Sequence, residues 1–360
     1  MFYIFKENLP QSSVIIQADT ETFWVIFELK KLHQDGKRIV DSLSNQIEIE
    51  HMQIYIDFSI GIVEAPDFKT CQTLIPFTNA ERLAGYAKNS NLPYVIYDDD
   101  LLLKKYEFNL LGLFPKALEN NHTYLVFQPV IDAQTGQTVS VESLIRWKDE
   151  NYGIIMPNDF IPLVESTQLI HTMTDWVIKN AIKAYKSILK ADYHLMISIN
   201  LSSKNLNNPS FYKDVMRMTT DKEIMSNNII FEVTETVLLE DNKKTKNNIK
   251  QINRAGYQIA IDDFGKGYSS LTYLSQFKTD FLKIDKEYIK SMLENESILQ
   301  IVKATIALAH QFGLKVVAEG VETKAMYDSA VKLGIDYLQG FYIAKPMALD
   351  DLYAWLEKTN

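Results

Sequence analysis

A chain of 360 residues with 46% hydrophobic side chains carries enough apolar material for more than one core, so a large unit with an appendage, or two domains, is expected. The 37 Lys and Arg against 46 Asp and Glu leave a formal charge of −9, which argues against a protein that coats duplex nucleic acid through its phosphates. The single cysteine, Cys71, excludes an intramolecular disulfide framework and reads as a small core residue; the six histidines lack zinc-type spacing, and no apolar run reaches membrane-spanning length, so a soluble cytoplasmic protein is the expectation.

In chain order, VIIQADTETFWVIFEL and HMQIYIDFSIGIVEA read as strands around a helical ELKKLHQDGKRIVDSLSNQI. A helix over NAERLAGYAKNS and a strand at YVIYD follow, which together describe a separate α+β unit over residues 1–105. The stretch DDDLLLKKYEFNLLGLFPKALENN carries charge and then helical periodicity, and the junction to a second domain, 106–360, falls there. Beyond it, short β-branched runs alternate with longer helical patterns: strands at YLVFQPVI, VSVESLIRW, LMISINLS, NIIFEVTE, QIAIDDFG, FLKIDK, KVVAEGVE and YLQGFYIA. Among the intervening helices, NNIKQINRAGY, ILQIVKATIALAHQFG and AMYDSAVKLG carry the glycine expected just past a helix end. Eight strands over roughly 250 residues suit a parallel (β/α)8 barrel. A doubly wound open sheet is the alternative, because periodicity does not establish closure.

Polar residues recur near the ends of these strands: Glu142 in VESLIRW, Asn200 in SINLS, Glu232 in FEVTE, Asp262 and Asp263 in IAIDDFG, Lys283 and Asp285 in LKID, Glu319 in VVAEG. In a parallel barrel the carboxyl ends form one face, so these side chains converge. Alternation places Glu142 and Arg146 on the side of Leu144, with Ser143, Ile145 and Trp147 facing the other way. Taken singly, each has a plainer reading: Asp262 and Asp263 as caps of a helix near Tyr268, Lys283 and Asp285 as a surface ion pair, Asn200 as a turn residue. Those readings weaken jointly, since they must be invoked at strand after strand, always at the same end. Crowded carboxylates raise one another's pKa values unless cations neutralise them, and an all-oxygen donor set favours Mg²⁺ or Mn²⁺ over zinc. Two such ions would clamp the oxygens of a phosphoryl displacement.

These stretches resemble the EAL family of bacterial cyclic di-GMP phosphodiesterases, from about Tyr124 to the end of the chain. The signature tripeptide is Glu142-Ser143-Leu144, followed in the family's order by SINLS, FEVTET, AIDDFGKGYSSL, LKID, VVAEGVET and LQGFYIAKPM. The resemblance implies a TIM-like barrel, hydrolysis of cyclic di-GMP to linear 5′-pGpG, two Mg²⁺ or Mn²⁺ ions, and a homodimer through the EAL domain. It makes Glu142, Asn200, Glu232, Asp262, Asp263 and Glu319 metal ligands, with Glu142, Glu319 and Lys283 central to catalysis and Lys283 as the water-positioning base or the partner of that base. Gln128, Arg146 and Gln339 would contact substrate or water, Glu235 would hold the loop after Asp263, and Asp285 and Glu322 would support the site. Two positions depart from the pattern: Ser143 replaces the usual alanine and Lys266 the usual threonine. A catalytically silent EAL module that binds cyclic di-GMP or a protein is the alternative, favoured by Lys266 and opposed by the retention of every ligand. The first hundred residues resemble a truncated, degenerate GGDEF domain through FSIGI and AERLAGYAKNSNLPYVIYD. Its signature turn is replaced by Asp19-Thr20-Glu21-Thr22-Phe23, so a regulatory, dimerising or packing role is expected in place of cyclase activity.

Overall fold

The computed structural model describes residues 13–18, 22–26, 46–49, 52–55, 59–63, 75–89, 94–96, 101–220, 224–239, 242–265 and 277–359. Cys71, Lys266 and most of the helical pattern expected over 28–47 lie outside them. Two compact units emerge: Met1–Leu113 with Lys148–Ile155, and Phe114–Trp147 with Met156–Asn360.

In the first unit, VIIQ and FWVI pair as the antiparallel hairpin Val14–Gln17 and Phe23–Ile26, closed by Ala18 N–H donating to Thr22 O at 3.0 Å. A second hairpin joins Gln46–Ile49 to Met52–Tyr55. Ile60–Ile62 and Tyr94–Ile96 lie parallel, connected through the helix Ile75–Asn89, and Leu83, Ala87 and Val95 form a small core there.

The second unit is a closed barrel of eight strands. They are β1 (Thr123–Asp132), β2 (Thr138–Asp149), β3 (Met196–Leu201), β4 (Ile229–Thr234), β5 (Gln258–Phe264), β6 (Phe281–Ile284), β7 (Lys315–Ala318) and β8 (Tyr337–Leu338). Closure comes from β3 pairing with β2 as well as β4, and from β8 pairing with β1. The expectation of eight parallel strands needs one correction: β1 runs antiparallel to both β2 and β8. The reason is the short β1–β2 link, where Asp132 Oδ1 accepts the N–H groups of Gln134 and Thr135 and Gly136 N–H returns to Asp132 O. A parallel crossover needs about a dozen residues; five allow only a hairpin.

Helices wrap the barrel because their apolar residues recur on one face. Leu169–Lys190 buries Ile170, Met173, Val177, Ile178, Ala181, Ile182, Tyr185 and Ile188 at helical spacing. Each large aliphatic side chain so buried contributes about 1.5–3 kcal/mol. Tyr185 satisfies its hydroxyl on Leu195 O at 2.8 Å. The helices Lys243–Arg254, Glu296–Gln311 and Lys324–Lys332 stop two residues before Gly256, Gly313 and Gly334, as their pattern predicts.

Inside the barrel, Val130, Ile230, Ala260, Phe281 and Val317 pack into one apolar cluster with Met196 and Tyr337 against it. On the strands β4 to β7 each of these buried residues stands two positions before a polar residue: Glu232, Asp262, Lys283 and Glu319. Since the side-chain period of a strand is two, the same inward face supplies an apolar floor and, one layer nearer the carboxyl ends, a polar site.

Candidate active site

The polar layer is continuous around the ring. Lys283 on β6 is 3% exposed, and its Nζ lies 2.6 Å from Glu232 Oε2 and 2.7 Å from Glu319 Oε1, with Glu142 Oε2 at 3.4 Å and Asp262 Oδ1 at 3.6 Å. The surface ion pair with Asp285 is thus not what the chain builds: Lys283 is buried among other carboxylates, and Asp285, also buried, caps the following helix by accepting Glu287 N–H at 2.9 Å. Glu142 Oε1 accepts from Asn200 Nδ2 at 2.8 Å, so Asn200 works as a strand residue at the mouth of the site and not as a turn residue. Gln339, one residue past β8, donates its Nε2 to Glu142 Oε2 at 2.7 Å and to Gln128 Oε1 at 3.2 Å. The antiparallel β1 sets Gln128 directly opposite Glu142, and Gln128 Nε2 in turn reaches Ala344 O at 3.0 Å.

One carboxylate oxygen from each of Asp262, Asp263 and Glu319 lies within 4.8 Å of the others. Asp263 N–H donates to Asp262 Oδ1 at 2.9 Å, and two residues on, Gly265 N–H is held by the buried Glu235 Oε2 at 3.1 Å. Residues 114–346 match the family model described as the EAL domain. The chain belongs to the EAL domain family.

MucR of Pseudomonas aeruginosa, a bifunctional diguanylate cyclase/cyclic di-GMP phosphodiesterase, is 32% identical over 358 residues, covering 97% of this chain and 52% of its own length. The cyclic di-GMP phosphodiesterase PdeR of Escherichia coli is 28% identical over 325 residues, 90% of this chain and 49% of PdeR. The chain therefore spans about half the length of these curated relatives. Among solved structures, the PaMucR phosphodiesterase in complex with c-di-GMP superposes with a TM-score of 0.65 at 34% identity, covering 68% of this chain and 99% of that one. An EAL domain protein from Listeria monocytogenes gives 0.61 at 27% identity, covering 69% and 98%.

In this EAL domain the tripeptide Glu142-Ser143-Leu144 lies mid-strand on β2. Ser143 faces outward and donates its hydroxyl to Ser198 O at 2.6 Å, so the departure from alanine is satisfied without touching the site. Arg146, half-buried on the Glu142 side of the strand, donates to Ile145 O at 2.9 Å. Glu322 is exposed and, among the described residues, stands outside the buried network, with its backbone N–H donated to Met326 Sδ at 3.4 Å.

Four carboxylates around one ammonium leave three uncompensated negative charges if all ionise, and the pKa values respond. Burial, reinforced by the Glu142 charge, pushes Glu232 up to about 8 although Lys283 opposes it. Burial likewise raises Asp262, and raises Glu319 well above the ordinary carboxylate range. Burial works against Glu142 too, yet Lys283 together with Gln339 and Asn200 holds it below its usual value. Lys283 resists its own desolvation because Asp262, Glu142, Glu232 and Glu319 surround it, and its pKa stands well above that of a free lysine. The site thus has an excess of hard oxygen donors and of negative charge. Those two properties fit a divalent cation such as Mg²⁺ or Mn²⁺.

Proposed function

We propose that this EAL domain hydrolyses one phosphodiester bond of cyclic di-GMP to linear 5′-pGpG, lowering that second messenger in bacterial signalling. The observation that carries the reading is the buried Lys283 held among Glu142, Glu232, Asp262 and Glu319 at the strand ends. The relatives MucR and PdeR, both named as cyclic di-GMP phosphodiesterases, support the substrate. Glu142, Asn200, Glu232, Asp262, Asp263 and Glu319 would hold Mg²⁺ or Mn²⁺, in the number of two that so many ligands suit. Bound there, the cations would supply Lewis acidity to the phosphoryl oxygens and a more acidic water.

The chain's own residues do the rest. Lys283, kept protonated at Nζ by its carboxylates, donates hydrogen bonds that orient the attacking water. Gln128, Gln339 and Arg146 offer amide and guanidinium N–H groups to nonbridging phosphate oxygens or to that water. The water oxygen joins phosphorus and the bond from phosphorus to the 3′ oxygen breaks; the proton the water gives up is balanced by the one the departing 3′ oxygen gains, so a 3′ hydroxyl forms and the phosphate stays on the 5′ side. Glu235 steadies the loop after Asp263, with Asp285 as an outer support; the exposed Glu322 has no part in this arrangement.

For residues 106–360 we read the EAL barrel, and for 1–105 a degenerate GGDEF-like unit without cyclase activity. The parallel pair Ile60–Ile62 and Tyr94–Ile96 with its connecting helix supports the latter, as does the match to bifunctional MucR over 97% of the chain. A cytoplasmic location, expected from the lack of a membrane-length apolar run, and a homodimer through the EAL domain, expected from the resemblance, complete the reading.

The test is incubation of the purified chain with cyclic di-GMP and Mg²⁺ or Mn²⁺, with chromatographic separation of the nucleotides, beside Glu142→Ala. Formation of pGpG by the unaltered chain alone supports the enzyme and its site. Binding of cyclic di-GMP without any product would replace the enzyme by a receptor.

A further inference from the structure

The three carboxylates that cluster most closely, Asp262, Asp263 and Glu319, come from two different strands, and something must fix the distance between them. Each of the two segments has a glycine just beyond its carboxylate: Gly265, two residues after Asp263, and Gly320, next to Glu319. Both have positive φ, 110° and 62°, and both are covered by the same short helix, Lys286–Ser291. A Cβ on Gly265 would lie 2.6 Å from Cε2 of Tyr288, and one on Gly320 would lie 2.3 Å from Cβ of Lys286. Neither glycine has room for a side chain, because the helix sits against its backbone.

That helix starts directly after β6, the strand of Lys283, and Asp285 caps its first turn. It therefore touches the segments of all three clustered carboxylates while being tied to the catalytic lysine. The contact at Gly265 is also polar. Tyr288 Oη donates to Gly265 O at 3.0 Å, while Glu235 accepts from Gly265 N–H on the other side, so one residue is gripped at both of its backbone groups. Two residues upstream, Asp263 adopts a left-handed φ of 55°, a sparsely populated conformation that the surrounding structure holds in place.

We infer that Tyr288 is a positioning residue for the cation site: through its hydroxyl it fixes the Gly265 carbonyl, and with it the placement of Asp262 and Asp263 relative to Glu319 and Lys283. This rests on the reading of those carboxylates as metal ligands. Nothing in the strand-end pattern points to Tyr288, whose partner is a backbone carbonyl 23 residues earlier.

The test is Tyr288→Phe, which keeps the ring against Gly265 and removes only the hydroxyl. Mn²⁺ binding to the whole chain is measured by titration calorimetry, with thermal unfolding of the metal-free protein and, separately, hydrolysis of cyclic di-GMP at varied Mn²⁺. The expected result is a loss of Mn²⁺ affinity of about tenfold, the usual scale for removing a group that orients metal ligands. The unfolding midpoint, and KM for cyclic di-GMP at saturating Mn²⁺, should stay near those of the unaltered chain. Equal Mn²⁺ affinity in the two proteins overturns the inference even if both hydrolyse cyclic di-GMP. Conversely, an unaltered chain that binds Mn²⁺ but leaves cyclic di-GMP intact overturns the proposed reaction, while the difference between the two affinities still decides the role of Tyr288.

Discussion

The two ends of the barrel solve the same problem, a buried or half-buried carboxylate, in opposite ways. At the end where the strands begin, Asp336 has more partners than it needs: Lys315 Nζ at 2.7 Å and His310 Nε2 at 2.8 Å, with Val316 N–H donating at 2.9 Å. Despite partial burial, those partners hold its pKa below the ordinary value. At the end where the strands finish, four carboxylates share one ammonium, and three of them are pushed up instead. The first arrangement is a stable one for a metal-free protein. The second leaves an excess of negative charge, the property that suits the site to the cation proposed for it.

Breaking this contrast at the polar end should have the largest effect. Lys283→Ala removes the only ammonium among the described residues that lies within 4 Å of these four carboxylates, and pGpG formation measured by chromatography should fall by about 10²–10⁴-fold; a near-normal rate would sink the assignment of the site. Next, Glu232→Gln should weaken Mn²⁺ binding by about 10–100-fold in calorimetry. It should also flatten a pH dependence of the unaltered, metal-free chain. A carboxylate raised to about 8 in the fold keeps its proton there while the unfolded chain has released it, so stability falls as pH rises from the unfolded value through about 8. Thermal melts across that window, with chelator present, should show the slope in the unaltered chain and a smaller one in the variant.

At the other end the effect is on stability alone. Asp336→Asn should cost about 1–3 kcal/mol in denaturant titrations at neutral pH, the scale of a charge-assisted hydrogen bond lost, and leave turnover unchanged. Because Asp336 is held low, that contribution is present above the unfolded carboxylate value and disappears as pH falls through the folded one. The smallest change expected is Ser143→Ala, which removes one hydroxyl donor to Ser198 O and should cost no more than about 1 kcal/mol, with kcat unaltered.

Much of this is legible in the sequence. The alternation that puts Glu232 and Ile230 on one face, and the recurrence of acids at strand ends, are local patterns, and they located all eight barrel strands. The direction of β1 is set by the length of its link, not by its periodicity: five residues with a Thr-Gly turn cannot cross a barrel, and periodicity alone carries no sign of direction. Other features had no local signal. Asp285 reads as a charged partner for Lys283 until the helix it caps is seen, and the tyrosine at 288 looks like any residue on an amphipathic turn. Their roles are set by where a distant backbone passes, which composition and spacing do not encode.

The step of two residues between the apolar floor and the polar layer has a consequence for quality control. If β4 slipped by a single position, Glu232 would turn toward the helices and Phe231 into the interior, so the same error that spoils the chemistry would also bury a carboxylate among hydrocarbon. A wrongly registered barrel is therefore one that does not persist. Folding itself acts as the proofreader of the site, and a molecule that survives with its core intact has already had its reactive groups checked.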